Sequence, residues 1–310
     1  MASELSLLVA KHVQREGVIS TALAHLYLYR YTSLSPSERG IPGPSICVVV
    51  QGAKQTMLGD SSHLQPAGDY MITPIDLPVT GNVVKASISV PFLGLRYDLD
   101  INRIASFSLD SDLKSARRTP RIHGVSLSRM TPDLEDVFVR LLKLLDRPDD
   151  IAFLEPLVSQ EILYRLVQSG HADMFEKIVS SDGHIHRMAR LINWLKRNVD
   201  QPLSVKSIAH EANMSSSVLY ESFHNATGMS PIQFHKQLRL QEARRMLISS
   251  DLDSASAAIK VGYKSPSQFS REYTRLFGRS PGRDIQHFRR FSMSSNSCSE
   301  EPGMQNGASI

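Results

Sequence analysis

The strongest constraint on the fold is a repeat in the C-terminal third of the chain, with a spacing of about fifty residues. Positions of matching character recur in the same order, offset by 49 residues before a turn and by 50 after it. The first copy consists of Ile208, Ala209, Ala212, Asn213, Met214, Ser215, Leu219, Phe223, Gly228, Ser230 and Pro231. The second copy consists of Ala257, Ala258, Val261, Gly262, Tyr263, Ser265, Phe269, Tyr273, Gly278, Ser280 and Pro281. So many matches rarely arise by chance, and they predict two copies of one structural unit.

Each copy has the sequence marks of a helix-turn-helix. A small residue comes four positions before a residue suited to positive φ, as in Ala209 with Asn213 and Ala258 with Gly262. The small residue lets two helices approach closely, and the second residue allows the sharp turn between them. Serines stand at the expected N-cap of each second helix, Ser215 and Ser265.

The segment between the copies predicts one connecting helix. Residues 232–249 contain neither Gly nor Pro. Their apolar positions fall on two sides of the helix, with Phe234 and Leu238 on one side and Leu240, Ala243, Met246 and Leu247 on the other. About eighteen residues span ~27 Å, which is close to the ~34 Å between successive major-groove segments of a duplex. Two reading helices joined in this way could reach adjacent groove segments.

The distribution of charge favours a polyanionic partner for this region. The formal net charge of the chain is +4. Residues 187–291 hold 17 Lys or Arg and 8 Asp or Glu, residues 1–186 hold 18 and 21, and residues 292–310 hold none and 2. Positive charge concentrated in one block is typical of a nucleic-acid-binding domain attached to a near-neutral partner domain. A solvated cationic face on a helical interaction module is the alternative, but it does not explain why the copies share turns and caps.

The second helix of each copy should bury one face and expose the other. Leu219 with Phe223, and Phe269 with Tyr273, lie four residues apart and are expected to anchor the helix. The outward positions are Ser216, Ser217, Tyr220, Glu221 and His224 in the first copy and Pro266, Ser267, Ser270, Arg271 and Thr274 in the second, with Gln268 at the edge. The predicted DNA contacts are Ser216, Ser217, Tyr220, Glu221, Ser267, Gln268, Ser270 and Arg271.

Residues 41–99 show a different pattern, with short apolar or alternating runs separated by turn residues. The predicted strands are 46–51, 55–58, 70–73, 83–88 and 92–97. Short, regularly spaced strands without helices between them are typical of a small antiparallel barrel or sandwich.

Helical periodicity begins after this region. A helix is predicted to start at Thr131, as N-cap, with Pro132 in the first turn, and a second helix covers 152–168. Their apolar stripes either pack on the sheet domain or form a dimer seam, and the sequence leaves both open. Residues 180–183 read as a linker, and residues 292–310 have almost nothing to bury and are expected to be disordered.

The sequence offers little for catalysis or metal binding. His63 is the only histidine among the predicted strands, and the pair His184 and His186 lies in the linker region. We therefore expect no metal, no cofactor and no enzyme activity. Cys47 is either a buried structural residue or a thiol that senses oxidants or electrophiles, and Cys298 lies in the tail.

The two cysteines lie too far apart in sequence for a disulfide framework, which favours a reducing compartment. The longest apolar runs fall well short of the ~20 residues that a membrane span requires, and the N-terminus has no apolar stretch behind a basic start. We expect a cytoplasmic protein without a membrane partner.

Three stretches resemble the AraC/XylS family of bacterial transcription regulators. Residues 261–273 with 276–281 are similar to the C-terminal signature of the family, and 228–231 with 238–244 to its linker-helix segment. Residues 44–52 and 76–81 resemble the AraC-type N-terminal regulatory domain. The similarity covers roughly residues 20–290.

The resemblance implies a two-domain protein, with an N-terminal cupin-like antiparallel β-barrel with flanking α-helices and a C-terminal all-α domain with two helix-turn-helix units. The expected boundaries are 1–110 for the effector-sensing domain, 111–180 for a helical region that packs on it and could form a dimer interface, and 184–291 for a seven-helix DNA-binding domain beginning with a helix over 188–199. The implied partners are double-stranded promoter DNA, a small-molecule effector, RNA polymerase and a second copy of the chain. Activation is favoured over repression. The alternative is a cupin-type enzyme or sensor that a basic helical module tethers to DNA.

One position departs from the family pattern. Members often carry a basic residue on the first recognition helix, where this chain has Glu221 beside Tyr220. The carboxylate either accepts a hydrogen bond from cytosine N4 or pairs internally with a basic side chain, and the second is slightly favoured. Arg271 is suited to bidentate contact with guanine, and Gln268 to adenine.

Overall fold

The computed structural model describes residues 3–35, 38–59, 61–100, 103, 125–172, 174–175, 184–250 and 252–286, without the side chains of 38, 184 and 185. The expectations for the 180–183 linker, the 292–310 tail and Cys298 fall outside these residues, as does the side chain of His184.

Two antiparallel sheets form the N-terminal domain. The strands are β1 Gly17–Ser20, β2 Leu26–Tyr31, β3 Glu38–Gly40, β4 Ser45–Gln51, β5 Ala53–Leu58, β6 Ser61–Pro66, β7 Asp69–Thr73, β8 Val79–Lys85, β9 Phe92–Asp98 and β10 Ser126–Arg129. One sheet has the order β1-β2-β9-β4-β7-β10 and the other the order β3-β8-β5-β6. The antiparallel β architecture of this domain is as the sequence predicts.

The strand boundaries differ from the prediction in one informative place. The strand predicted at 83–88 is found at Val79–Lys85. It ends early because Ser87 begins a tight turn, in which its backbone N–H donates to the carbonyl oxygen of Val90 at 2.9 Å. Strands β1, β2, β3, β6 and β10 were not predicted; β1, β3 and β10 have only three or four residues, and β2 lies outside the segment with clear alternation.

Three helices share one core with the six-stranded sheet. They are α1 Glu4–His12, α2 Pro132–Lys143 and α3 Pro148–Leu166. Thr131 caps α2 as predicted, and its hydroxyl accepts the backbone N–H of Leu134 at 3.3 Å. The core of this region is continuous from Leu5 to Phe175, and β10 pairs with β7, so the described part of the 111–180 segment belongs to the same packed structure as the barrel.

The C-terminal region is helical. Its helices are α4 His184–Arg197, α5 Val205–Glu211, α6 Ser216–Thr227, α7 Pro231–Ser249, α8 Ser254–Lys260, α9 Pro266–Phe277 and a short α10 over 281–286. The helix predicted at 188–199 begins and ends earlier, and the connecting helix matches α7 within one residue. None of the described helices combines the length and apolar character needed to cross a bilayer.

Contacts divide the chain into two compact units, Met1–Arg197 with Leu203–His235, and Asn198–Pro202 with Lys236–Ile310. The division falls within α7, whereas the sequence predicts a domain boundary near residue 180. Helices α4 and α6 fall in the first unit because this region contacts the two-sheet domain. Nζ of Lys196 lies 2.6 Å from Oδ1 of Asp76, and the turns at Gly59 and Gly228 touch through their backbones.

Candidate nucleic-acid interface

Helices α5 and α6 form the first helix-turn-helix. The turn is made by Asn213, whose φ is 51°, and the N–H of Met214 donates to the carbonyl oxygen of Ala209 at 3.0 Å. The hydroxyl of Ser215 accepts the N–H of Val218 and caps α6, which ends at Gly228 in the left-handed conformation. The predicted turn and cap are therefore confirmed.

Helices α8 and α9 form the second helix-turn-helix with the same devices. Gly262 has φ 81°, and the N–H of Tyr263 donates to the carbonyl oxygen of Ala258 at 2.9 Å. The hydroxyl of Ser265 accepts the N–H of Gln268 and caps α9. Here glycine is required by space as well as by φ, since a Cβ would lie 2.1 Å from the carbonyl oxygen of Asp200.

The anchor residues and the outward residues divide as the sequence predicts. The four anchors Leu219, Phe223, Phe269 and Tyr273 are fully buried. Seven of the eight predicted DNA contacts are exposed, namely Ser216, Ser217, Tyr220, Glu221, Ser267, Gln268 and Arg271. Ser270 is half-buried. Each second helix thus presents a polar face to solvent; base contact by these residues stays a prediction.

Glu221 lies on the outward face of α6 without a cationic partner in the described part of the chain. The adjacent Tyr220 ring stacks on the His224 ring, with centroids 6.3 Å apart and planes 8° apart. The internal ion pair that the sequence favoured slightly therefore finds no partner here. The structure leaves the carboxylate available to a ligand in solvent.

Gln268 is not fully free on α9. Its Nε2 donates to Oε1 of Glu272 at 3.2 Å, and Glu272 also accepts from the hydroxyl of Tyr263 at 2.8 Å and pairs with Nζ of Lys236 at 2.5 Å. Burial raises the pKa of Glu272, but the hydrogen bonds from Lys236, Tyr263 and Gln268 outweigh burial and hold that pKa below its ordinary value. The amide is thus oriented by its neighbour, which fixes what it can offer to a base.

Arg271 occupies the position on α9 that corresponds to Glu221 on α6, fifty residues earlier. Its side chain is exposed and makes no ion pair with the described residues. A guanidinium without an acidic partner keeps all five donors for a base or phosphate. The two helices therefore carry opposite charges at one equivalent position.

A basic cleft beside the first helix-turn-helix was missed by sequence reasoning. It has a volume of about 680 Å³ and is lined by α4 and the turn at 211–213. Its charged and aromatic lining consists of Arg187, Arg190, Trp194, Lys196, Arg197 and Glu211. The spacing of the arginines along one helix is a signal that could have identified it, since residues three or four apart share a face.

Buried groups behind the two recognition helices differ. In the first helix-turn-helix, Phe223 meets Phe234 edge to face, with centroids 5.2 Å apart. In the second, the equivalent positions hold Tyr273 and Asp284, and the Tyr273 hydroxyl donates to Oδ2 of Asp284 at 2.8 Å. The guanidinium of Arg244 also binds both carboxylate oxygens of Asp284, at 2.8 and 3.2 Å.

A two-sheet β domain followed by a duplicated helix-turn-helix defines the class as a two-domain helix-turn-helix protein. Residues 22–174 match the family "AraC-type transcriptional regulator N-terminus", and residues 208–287 match "Helix-turn-helix domain". The chain belongs to the AraC/XylS family.

The relatives that the chain resembles are named as regulators of transcription. The chain is 28% identical over 211 residues to the probable thc operon regulatory protein of Rhodococcus erythropolis, covering 63% of this chain and 61% of that protein. It is 25% identical over 174 residues to the virulence regulon transcriptional activator VirF of Yersinia enterocolitica, covering 56% and 63%. It is 29% identical over 140 residues to the transcriptional activator RhaS of Yersinia pseudotuberculosis, covering 45% and 48%. The chain thus spans less than two thirds of the length of these relatives.

Solved structures of ToxT from Vibrio cholerae share the fold. The wild-type protein with bound unsaturated fatty acid matches with a TM-score of 0.59 and 10% identity, covering 84% of this chain and 93% of that one. An apo form of ToxT that carries a single substitution matches with a TM-score of 0.56 and 12% identity, covering 88% and 99%.

Proposed function

We propose that this protein regulates transcription by binding promoter DNA sequence-specifically through its two helix-turn-helix units. The observation that carries the proposal is the outward face of α6 and α9, which is polar and exposed while the opposite face is fully buried. Because the turns and caps are duplicated but these faces differ in composition, the two helices would read two unlike half-sites. The family relationship favours activation, with RNA polymerase as a further partner, in the cytoplasm where the DNA lies.

Base contacts would come from the central outward positions of each helix. Arg271 is the strongest candidate, because a free guanidinium can bind guanine O6 and N7 together. On α6, Glu221 would accept from cytosine N4, and Tyr220 would pack against a neighbouring base or sugar.

Phosphate contacts would come from helix N-termini and from the basic cleft. Residues Ser216 and Ser217 begin α6, where backbone N–H groups have no helical acceptor and favour an anion. At the start of α9, Pro266 has no N–H, so that helix offers Ser267 first. The cations of the basic cleft would add sequence-independent affinity.

The N-terminal domain would sense a small molecule. Its two sheets line a cavity of about 430 Å³, which lies within the usual range for small-molecule sites. Preferential binding of the effector to one conformation would shift the equilibrium between inactive and active states.

A homodimer is supported by the outer surface of α3. Phe153 is 78% exposed and Leu157 is 62% exposed, and they lie four residues apart on one helical face with Leu154 beside them. Exposed apolar stripes of this kind usually mark protein interfaces. Sedimentation of the Phe153→Ser variant is expected to show weaker self-association than wild type, with Leu64→Ser, at a 62% exposed apolar position on β6, as the control.

The test of DNA binding is selection of bound sequences from a random duplex pool by the full chain. We expect a split motif in which two conserved blocks are separated by about one helical turn. Enrichment of no motif, together with a steep salt dependence of binding, would instead support simple tethering to DNA.

A further inference from the structure

The cavity in the N-terminal domain has a distinctive charge. Three cationic side chains line it, Arg39, Lys54 and Arg96, and none of its described lining residues is acidic. Lys54 makes no ion pair with the described residues, and its ammonium lies 5.7 Å from the centre of the Tyr29 ring. A half-buried ammonium without a carboxylate favours an anionic ligand.

Arg96 is already compensated. Its Nε lies 2.9 Å from Oδ1 of Asp98, and its guanidinium carbon lies 4.1 Å from the centre of the Tyr27 ring. The charge of Arg96 is therefore balanced within the protein by Asp98. Arg39 is also engaged within the protein, so Lys54 is the cation of the described lining that remains for a ligand, and its single charge matches a monoanion.

Two buried polar atoms in the cavity also lack partners. Gln65 is fully buried and Thr73 is 1% exposed. The Gln65 carbonyl oxygen accepts the Thr56 hydroxyl at 3.1 Å, but Gln65 Nε2 and Thr73 Oγ1 make no hydrogen bond with the described residues. Buried polar groups in proteins are normally paired, so these two atoms indicate a polar ligand.

Strand register brings Lys54 and Gln65 together on the four-stranded sheet. Lys54 on β5 is the direct cross-strand partner of Gln65 on β6, and Thr56 lies two residues further along the same face. On β8, Gly81 leaves room for the lysine, since a Cβ there would lie 2.8 Å from Lys54 Cε. The opposite wall contains an apolar cluster that includes Val49, Phe92 and Tyr29.

We infer that the effector is a small organic carboxylate with an apolar or aromatic body. Lys54 pairs with the carboxylate, Gln65 Nε2 donates a hydrogen bond to it, and Thr73 offers one more from the facing sheet. The body packs against the apolar wall formed by Val49, Phe92 and Tyr29. This inference rests on the proposed sensing function and adds the chemical class of the ligand.

Binding of matched probes to the full chain tests the inference. The probes are fluorinated aryl carboxylates, the primary amides of the same skeletons, and the corresponding aryl phosphates, measured by ligand-observed ¹⁹F NMR. We expect carboxylates to bind and the uncharged amides to bind about tenfold to a hundredfold more weakly, as for loss of a charged hydrogen bond. Lys54→Met should weaken carboxylate binding by a similar factor, Lys54→Arg should retain it, and Lys85→Met, at an exposed position, should leave it unchanged.

Alkylation of Cys47 shows whether the probe binds in this cavity, because the Cys47 thiol lines it. In a Cys298→Ser background, a bound carboxylate should slow alkylation of Cys47 by N-ethylmaleimide. Four results would overturn the inference: no carboxylate binding, equal binding of amides, preference for phosphates, or undiminished binding and protection in Lys54→Met. Circular dichroism of each variant checks folding.

These measurements use no DNA, so the two proposals can fail separately. Loss of sequence-selective DNA binding would contradict the regulatory function and leave carboxylate binding untouched. If no carboxylate binds but a DNA motif is still selected, only the proposed ligand class is contradicted.

Discussion

The two helix-turn-helix units are copies in their local geometry and differ in their surroundings. Both have a positive-φ turn residue, a serine N-cap and a left-handed glycine at the end of the second helix. Both helices pack on aromatic rings, but behind α9 a carboxylate, a guanidinium and a tyrosine hydroxyl also form a buried polar cluster. The same turn residues and caps therefore specify both helix-turn-helix units, whereas different buried side chains stabilise each of them.

The largest expected effect of this difference is at Asp284. Replacement by Ala removes the carboxylate that accepts from Arg244 and from the Tyr273 hydroxyl, and removal of one partner of a buried ion pair costs about 3–5 kcal/mol. Hydrogen exchange of the α9 amides measures the loss.

Phe234→Ala is the matched variant in the first helix-turn-helix, where an aromatic truncation also costs about 3–5 kcal/mol. Trp194 is the only tryptophan, so its fluorescence follows unfolding of this unit. An Asp284→Ala variant with α9 protection unchanged would show that the polar cluster does not stabilise the second unit.

The turn residues give the next largest effect. Gly262→Ala combines positive φ with a backbone clash at Asp200, and we expect a loss of about 3 kcal/mol. Asn213→Gly keeps the left-handed turn and should change stability by less than about 1 kcal/mol. If both substitutions lowered the thermal unfolding temperature equally, the claim that only the turn at Gly262 is crowded would be wrong.

At the reading surface, Arg271→Ala should relax specificity at one base pair and cost about 1–3 kcal/mol. A binding-site scan with single base-pair changes measures it. Exposed Arg279, beyond the end of α9, serves as the control, because its replacement by Ala should weaken binding evenly across sequences. If the Arg271→Ala variant still discriminated between bases at every position of the DNA site, Arg271 would not be a base-contacting residue.

The helix ends give a smaller contrast. A Cβ at Gly228 would lie 2.9 Å from the Cα of Gly59, whereas a Cβ at Gly278 would have no atom within 4 Å. Gly278→Ala should cost about 1 kcal/mol, from its positive φ alone. Gly228→Ala should cost about 1 kcal/mol more, because the barrel turn must also move, and denaturant unfolding of both variants compares them. Equal losses would indicate that the Gly59 contact adds nothing.

Glu221→Gln should have the smallest effect on DNA binding, and it tests whether Glu221 contacts a base. If the carboxylate only repels phosphates, its neutralisation strengthens binding about twofold to threefold for all sequences. If it accepts from cytosine, discrimination at one base pair falls instead. The proposed role predicts the second result in the same binding-site scan.

Much of the candidate interface could be predicted from the sequence, because its determinants are local. A positive-φ residue, a cap and two anchors four residues apart act within a single turn, and the structure has them where the repeat predicts. The continuous helix α7 follows in the same way from the absence of Gly and Pro between the copies. The barrel was less well predicted, and the strand at Val79–Lys85 was placed four residues late, since short strands depend on their partners.

The sequence by itself determined the duplicated motif, the charge of its outward faces and the antiparallel β class of the N-terminal half. Only the tertiary structure decided that Lys54, Gln65 and Thr73 share a cavity, and that Arg244 and Asp284 meet behind α9 forty residues apart in sequence. Helical periodicity acts over three or four residues, whereas strand register and core packing join residues that no short-range rule relates.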